Sequence, residues 1–372
     1  MSAPRLAALA LGFAAVAPSI VAEPIFLSRQ YARCANCHYS PTGGGLLTPY
    51  GRSLSREELS TFGKSSGTPQ GREHEFLYGV AGGALGPLSL GVDLRPSHLD
   101  IDLGRGISAN RDILMNAEVV AALRRGGFTF YAELGRQPRG DDPRVASFEH
   151  WIGFESERGF GARAGRFLPA YGVRFADHTT FTRAPMGFDN EDQVYALELS
   201  HRNDKHLLQL SLGPGRADDV DDSELRAFTA SARFQYDLTS RAVLVASGLY
   251  RDASELAPSN GSAGLAVGVA PFRRFTLWTQ GDVRFQGGDE GQTAYALVAD
   301  AAIEVYRGVW LKLSPQLLTA FGDSSGGVMR YSAGVNWLAR THWDVVVSYY
   351  YDDDRTSDRS TKTLLLQLHL YL

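Results

Sequence analysis

Cysteine is nearly missing from this chain: among 372 residues there are two, Cys34 and Cys37. That scarcity excludes a disulfide-dense secreted scaffold. A basic surface is missing as well. Lys and Arg number 37 against 41 Asp and Glu, and a formal net charge of −4 offers nucleic acid no electrostatic footprint. After residue 22 no apolar run is long enough for a helix to cross a bilayer, so any membrane residence requires a closed β-barrel. No Ser-His-Asp set, phosphate loop or paired-carboxylate motif stands out.

What is abundant points to strands and tight turns. Glycine contributes 40 residues and aromatics 11% of the chain. Residues 1–22 read as a cleaved signal peptide, with Arg5 ahead of the apolar stretch "LAALALGFAAVA", Pro18 breaking it and "IVA" before Glu23. Residues 23–73 are irregular and polar, too short to bury a core of their own, and so in need of a staple or a cofactor. Residues 74–372 carry segments of about ten residues in which apolar and polar side chains alternate. In "RAFTASARFQY", Phe228, Ala230, Ala232, Phe234 and Tyr236 share one face, and Thr229, Ser231, Arg233 and Gln235 the other. In "TKTLLLQLHLYL", alternate leucines from Leu364 to Leu372 face lipid while Gln367 and His369 face inward.

The connections alternate too. Short turns fall near 125–127, 157–159, 202–204, 237–240, 272–274, 307–308 and 339–341. Longer polar loops fall near 97–111, 138–145, 170–190, 214–223, 253–260, 286–292, 321–327 and 353–360. Seven short and eight long connections predict an all-β fold: a 16-stranded antiparallel transmembrane barrel with both chain ends on the short-turn side. The stretch 75–96 is too long for one strand and leaves room for eighteen. Inside the barrel, Glu198, Arg233, Asp282, Arg284, Asp300, Glu304, Lys312 and Arg330 make a lumen of mixed sign.

The chemistry concentrates at "CANCH", residues 34–38. C-x-x-C-H is the attachment signature of a c-type haem, with Cys34 and Cys37 bonded to the porphyrin and His38 as axial ligand. A thioredoxin-like pair needs a βαβ context, and a zinc knuckle needs a second cysteine pair. A short disulfide in a soluble all-β protein stays open as a third reading.

The stretch "PIFLSRQYARCANCHYSPTGGGLLTPYGRSL", residues 24–54, resembles the N-terminal segment of the fused outer-membrane cytochrome–porins, a family that includes the iron-oxidising outer-membrane cytochromes. Phe26, Arg29, Gln30, Cys34, Cys37, His38, Tyr50, Gly51 and Arg52 carry the resemblance, while "SPTGGGLL" departs from the iron oxidases. The resemblance implies one covalent haem c in a small plug at the periplasmic mouth or in the lumen of an outer-membrane barrel. It further implies partners: a periplasmic electron carrier such as a cytochrome c, and an extracellular donor or acceptor, with Fe(II) as one candidate and ferrous iron oxidation as the matching activity. Over the barrel the resemblance is architectural only.

A second axial ligand would come from the longest connection, 170–190, where His178 and Met186 stand, His178 being preferred. This stretch resembles the inward third loop of porin-like barrels, through Gly165–Gly172 and Asp177–Thr179. Met115 and Met329 are expected on the lipid face; His369 and His74 are weaker candidates, and an open sixth position is a further one. The acidic stretches 216–224 and 350–358 read as solvated outer loops rather than a cation site, since no His or Cys joins them. Two functions compete: outer-membrane electron transfer through one haem, and diffusion through a porin whose haem-stapled plug serves folding or gating.

Overall fold

In the computed structural model the described residues are 24–63, 87–104, 106–137, 144–189, 192–216, 227–253, 258–288, 291–320 and 322–371. The expected leader, His74 and most of the acidic stretch 216–224 lie outside them.

Period-two alternation becomes sixteen strands. The first six are β1 (Leu88–Asp102), β2 (Ser108–Arg125), β3 (Phe128–Gln137), β4 (Arg144–Glu155), β5 (Phe160–Phe167) and β6 (Val194–Arg202). Then come β7 (His206–Arg216), β8 (Thr229–Thr239), β9 (Ala242–Arg251), β10 (Asn260–Phe272) and β11 (Phe275–Gln286). The last five are β12 (Gln292–Tyr306), β13 (Val309–Ala320), β14 (Asp323–Arg340), β15 (Trp343–Asp354) and β16 (Arg359–Tyr371). Each pairs antiparallel with its sequence neighbours, and β1 closes on β16 from Asp93↔Tyr371 to Asp102↔Lys362. Closure leaves no sheet edge and satisfies the ladder all round.

The side chains sort as the alternation requires. Leu197, Leu199, Leu210, Leu212, Leu364, Leu366 and Leu368 are exposed on the outside, while Glu198, Gln209, Ser211, Gln367 and His369 are buried inside. The lumen residues Glu198, Asp282, Asp300, Glu304 and Arg330 are all buried.

Three expectations change. First, β1 begins at Leu88 and the barrel closes at sixteen strands, so the allowance for eighteen falls. Second, three connections expected to be long are short: β1 to β2 takes residues 103–107, β13 to β14 takes 321–322, and β15 to β16 takes 355–358. Their flanks are polar but still paired, as in Ser97↔Ile113 and Thr319↔Gly327. Polarity marked the loops, but a hairpin can keep its ladder with polar side chains. Third, Met115 faces inward. Arg95 pairs with Asn116 and Pro96 with Leu114, leaving Met115 as the extra residue of a bulge. Pro96 has no N–H to give the ladder, and the bulge turns Met115 and Asn116 inward together.

The N-terminal segment fills the barrel at its short-turn end. Arg33 Nη1 donates to the Asn203 carbonyl at 2.6 Å, and the Thr61 and Phe62 amides donate to Leu338 and Ala339 at 2.9 and 3.0 Å. Two ion pairs of 2.6 Å hold it: Arg29 to Glu304 of β12, and Arg33 to Asp237 of β8. The core this short segment lacks comes from the barrel wall. Leu27 packs on Val243, Val245, Ala266, Trp278 and Val298. Ile25, Leu54 and Leu59 pack on Ala302, Trp310 and Leu338, while Leu46 meets Val120, Tyr131 and Trp151. The need for a staple or cofactor is thus met in good part by inward apolar side chains, each buried leucine or isoleucine contributing roughly 1.5–3 kcal/mol.

Leu27→Ala should cost about 2–5 kcal/mol of docking. Protease digestion of the folded barrel would then cut within 24–63 while the heat-modifiable gel shift of the barrel persists; unchanged protection would show that Leu27 does not anchor the segment.

Candidate haem-binding site

The C-x-x-C-H residues form a single tight turn. Cys34–Asn36 is one 3₁₀ turn, with the amides of Cys37 and His38 donating to the Cys34 carbonyl at 3.1 and 3.0 Å. The turn is buttressed from its C-terminal side. His38 bridges to Leu47, and the Thr48 amide donates to the Cys37 carbonyl at 2.8 Å. Thr48 also caps helix α1 (Pro49–Leu54), its Oγ1 accepting from the Gly51 amide at 3.1 Å. A Cβ on Gly51 would lie 2.4 Å from the Cys37 carbonyl oxygen, so this glycine is needed for helix and turn to touch. Arg52 extends to the Leu90 carbonyl at 2.7 Å and fastens the helix to β1.

Cys34 and Cys37 are half-buried free thiols. Burial pushes both upward, Cys37 to about 12. Neither has the depressed pKa of a redox-active pair. Among the described residues no group of three or more His, Cys, Asp or Glu side chains is arranged to hold a bare metal ion.

His38 is 5% exposed, and its Nδ1 has no hydrogen-bond partner. Burial, reinforced by the Arg174 guanidinium, pushes its imidazole down to about 4. It is therefore neutral at neutral pH, the form in which imidazole ligates a metal.

The two thiols and His38 line one cavity of about 860 Å³, within the range of roughly 300–1,000 Å³ typical of cofactor pockets. The connection 168–193 roofs it. Its backbone is held by lumen side chains: the Val173 amide donates to Gln280 Oε1 at 2.8 Å, the Phe181 amide to Gln316 Oε1 at 2.9 Å, and Arg330 Nη1 donates to the Thr179 carbonyl at 2.9 Å. Asp177 Oδ1 accepts from the Thr179 amide and hydroxyl at 2.9 and 2.7 Å, closing a turn about His178. Burial opposes ionisation of Asp177, but Arg330, His178 and the Thr179 contacts outweigh it and hold the carboxyl below its usual range.

His178 is buried and lines the same cavity as Cys34, Cys37 and His38. Met186 is placed elsewhere. It is 1% exposed, packs with Phe181 and Ala296, and is not among the cavity-lining residues. Met115, expected outside, lines the cavity through its bulge. His369 lines it too, between Asp344 at 2.5 Å and Asp93 at 3.4 Å. The one available sequence signal for Met115 was Pro96 across the hairpin, which cannot sit in a regular ladder.

The cavity continues toward the long-loop end, past Asp300 and Lys312 to Asp352 and Asp354. Asp352 is taken by Arg330 at 2.7 and 2.8 Å, and Asp354 by Ser357 and the Thr356 amide at 2.6 and 2.9 Å. These carboxylates serve the hairpin itself, in keeping with solvated outer loops.

No protein-family model and no curated protein matches the chain. Solved structures do. An anion-selective porin from Comamonas acidovorans superposes with a TM-score of 0.61 at 11% identity, covering 77% of this chain and 99% of that one. OprB of Pseudomonas putida gives 0.60 at 7% identity, covering 77% and 94%. OmpT of Vibrio cholerae gives 0.57 at 9% identity, covering 77% and 97%. The fold is that of the outer-membrane porins.

Two measurements on the haem-free chain check this geometry. Alkylation of Cys34 and Cys37 at pH 8 should be slow, and Gly51→Ala should speed it about tenfold, the equivalent of ~1.4 kcal/mol of lost docking; equal rates would deny the close approach. His38 has a folded pKa below its unfolded value, so its contribution to docking is complete above about 6.5 and is lost as pH falls toward 4. The loss reaches about 3 kcal/mol, read as protease sensitivity of the segment. His38→Gln should remove that part of the pH dependence; a profile unchanged by the substitution would assign it to other groups.

Proposed function

We propose that this outer-membrane porin-type barrel is an electron-transfer protein that carries one covalently attached haem c in its N-terminal segment. The observation that carries the reading is that Cys34, Cys37, His38 and His178 line one cavity. The donor set fits the group: two thiols for thioether attachment and a neutral buried imidazole as first axial ligand. His178, on the 168–193 connection, lines the same cavity and would supply the second. A c-type haem contributes reversible one-electron exchange when bound. The chain's own part is to hold it in the lumen, shield it from bulk water with the 168–193 connection, and leave a polar path toward the long loops.

On this reading the 24–63 segment lies at the periplasmic mouth, within reach of a periplasmic electron carrier, and the opposite mouth meets an extracellular donor or acceptor. Fe(II) is a candidate donor. It enters as an ion in solution rather than at a dedicated site, in line with the lack of a metal-holding cluster among the described residues.

A second reading is favoured by the porin likeness and by the length of the cavity: a diffusion porin whose haem-stapled plug serves folding or gating. The two readings part on flux. A diffusion porin passes small solutes at a rate set by its plug, whereas the electron-transfer reading requires reduction by a donor that cannot cross the membrane.

The test is a visible spectrum of the purified, folded protein before and after Fe(II). The expected result is a c-type spectrum that reduces with Fe(II); a haem that stays oxidised would remove Fe(II) as donor. Cys34→Ser with Cys37→Ser should abolish haem staining on denaturing gels with the barrel still folded. His178→Ala should convert a low-spin haem to high-spin with covalent attachment intact, and Met186→Leu should leave the spectrum alone. Wild-type protein matured with an intact haem-attachment system yet lacking covalent haem would end the electron-transfer reading.

A further inference from the structure

Several lumen arginines are paired with acids. Arg29, Arg33, Arg163, Arg251 and Arg330 each have a carboxylate partner within 3.4 Å. Arg174 and Arg233 differ: among the described residues neither has a carboxylate at ion-pair distance. Arg174 is 7% exposed; its Nη1 donates to the Gly43 carbonyl, and its Nε has no partner. Arg233, half-buried on β8, donates only to neutral oxygens: Gly172 O at 2.9 Å, Gln209 Oε1 at 3.4 Å and Gln235 Oε1 at 2.9 Å. A guanidinium that is buried with neutral acceptors alone keeps most of its desolvation cost.

Their placement shows where a compensating anion belongs. Both line the cavity that holds Cys34, Cys37 and His38. They are the charged groups whose fields reach Cys34, and Arg174 also reaches His38. One comes from the roof and the other from the wall, and the two are linked, because Arg233 holds the carbonyl of Gly172, two residues before Arg174. Two cations beside the C-x-x-C-H turn, neither with a carboxylate at ion-pair distance among the described residues, match a ligand with two carboxylates.

We propose that Arg174 and Arg233 form a cradle for the two carboxylates of the bound tetrapyrrole, fixing its rotation about the Cys34–Cys37 attachment and setting its reduction potential. This rests on the haem reading above. It goes further in assigning two positioning residues and a consequence for electron affinity. Positive charge next to the group favours the reduced state, so the cradle raises the potential. The planar guanidinium suits carboxylate geometry, and a lysine would keep the charge while losing the two-point contact.

The test is a spectroelectrochemical titration of the full-length, folded protein and of Arg174→Gln, Arg233→Gln and their Lys counterparts. Both Gln variants should lower the midpoint potential, and the Lys variants should recover most of the shift. Covalent haem should remain at wild-type stoichiometry in all four. If a Gln variant fails to fold, the resonance Raman propionate bands of the wild type and of the Lys variant decide the matter: propionates bound in the wild type and loosened in the Lys variant support the cradle, and bands of free propionates in the wild type would overturn it. Haem at full stoichiometry with an unchanged potential in both Gln variants also overturns it and leaves the haem reading intact. If those same variants instead lose anion conductance, the arginines serve a free anion passing through the lumen. Wild-type protein without covalent haem would overturn both readings together.

Discussion

Everything in this molecule depends on closing a sheet whose backbone has no water to turn to. In hydrocarbon each unpaired N–H or C=O is costly, and a curved sheet avoids the cost only when its last strand meets its first. Here β16 meets β1 over the register Asp93↔Tyr371 to Asp102↔Lys362. Closure at sixteen strands creates a lumen, and a lumen of that girth must be watered or filled. This chain does both: one side is packed with protein, while an elongated cavity remains on the side of β13–β16, β1 and β2.

The filling is built by reciprocity between wall and contents. The wall turns Val243, Val245, Trp278 and Trp310 inward, residues that would be poorly placed in a water-filled pore. The N-terminal segment covers them with Leu27 and Ile25. It in turn contributes Arg29 and Arg33 to the acids Glu304 and Asp237. The 168–193 connection takes its hydrogen bonds from Gln280, Gln316, Arg251 and Arg330, so a long loop can cross the interior without orphaning its amides. The C-x-x-C-H turn sits between these two layers. Gly51 lets α1 touch it, Thr48 ties it to the helix, and the roof brings His178 to the same space.

The barrel was legible in the chain because its physics is local. A lipid face and a wet face impose period two, and that period survives in every segment long enough to count, from Phe228–Tyr236 to Leu364–Leu368. The strand number followed from counting hairpins. Loop lengths were read less well, since Ser97, His98, Asp100 and Thr319 are polar yet paired. Met115 was misplaced for a related reason: a single-residue bulge reverses the inside–outside register beyond it, and nothing in the alternation itself marks where the extra residue lies.

By itself the sequence determined the all-β barrel, a strand number of sixteen or eighteen, the inward and outward faces of most strands, and the presence of one C-x-x-C-H motif. It determined these because periodicity and spacing are properties of neighbouring residues. Tertiary structure alone decided what surrounds that turn. It alone showed that the short segment finds its core in the barrel wall rather than in itself. It alone set His178 on the cavity and Met186 in an apolar cluster, and placed Arg174 and Arg233 at the cavity with no carboxylate at ion-pair distance among the described residues. Those are meetings between residues as much as 275 positions apart, as for Arg29 and Glu304, and only closure of the barrel around the segment brings them together.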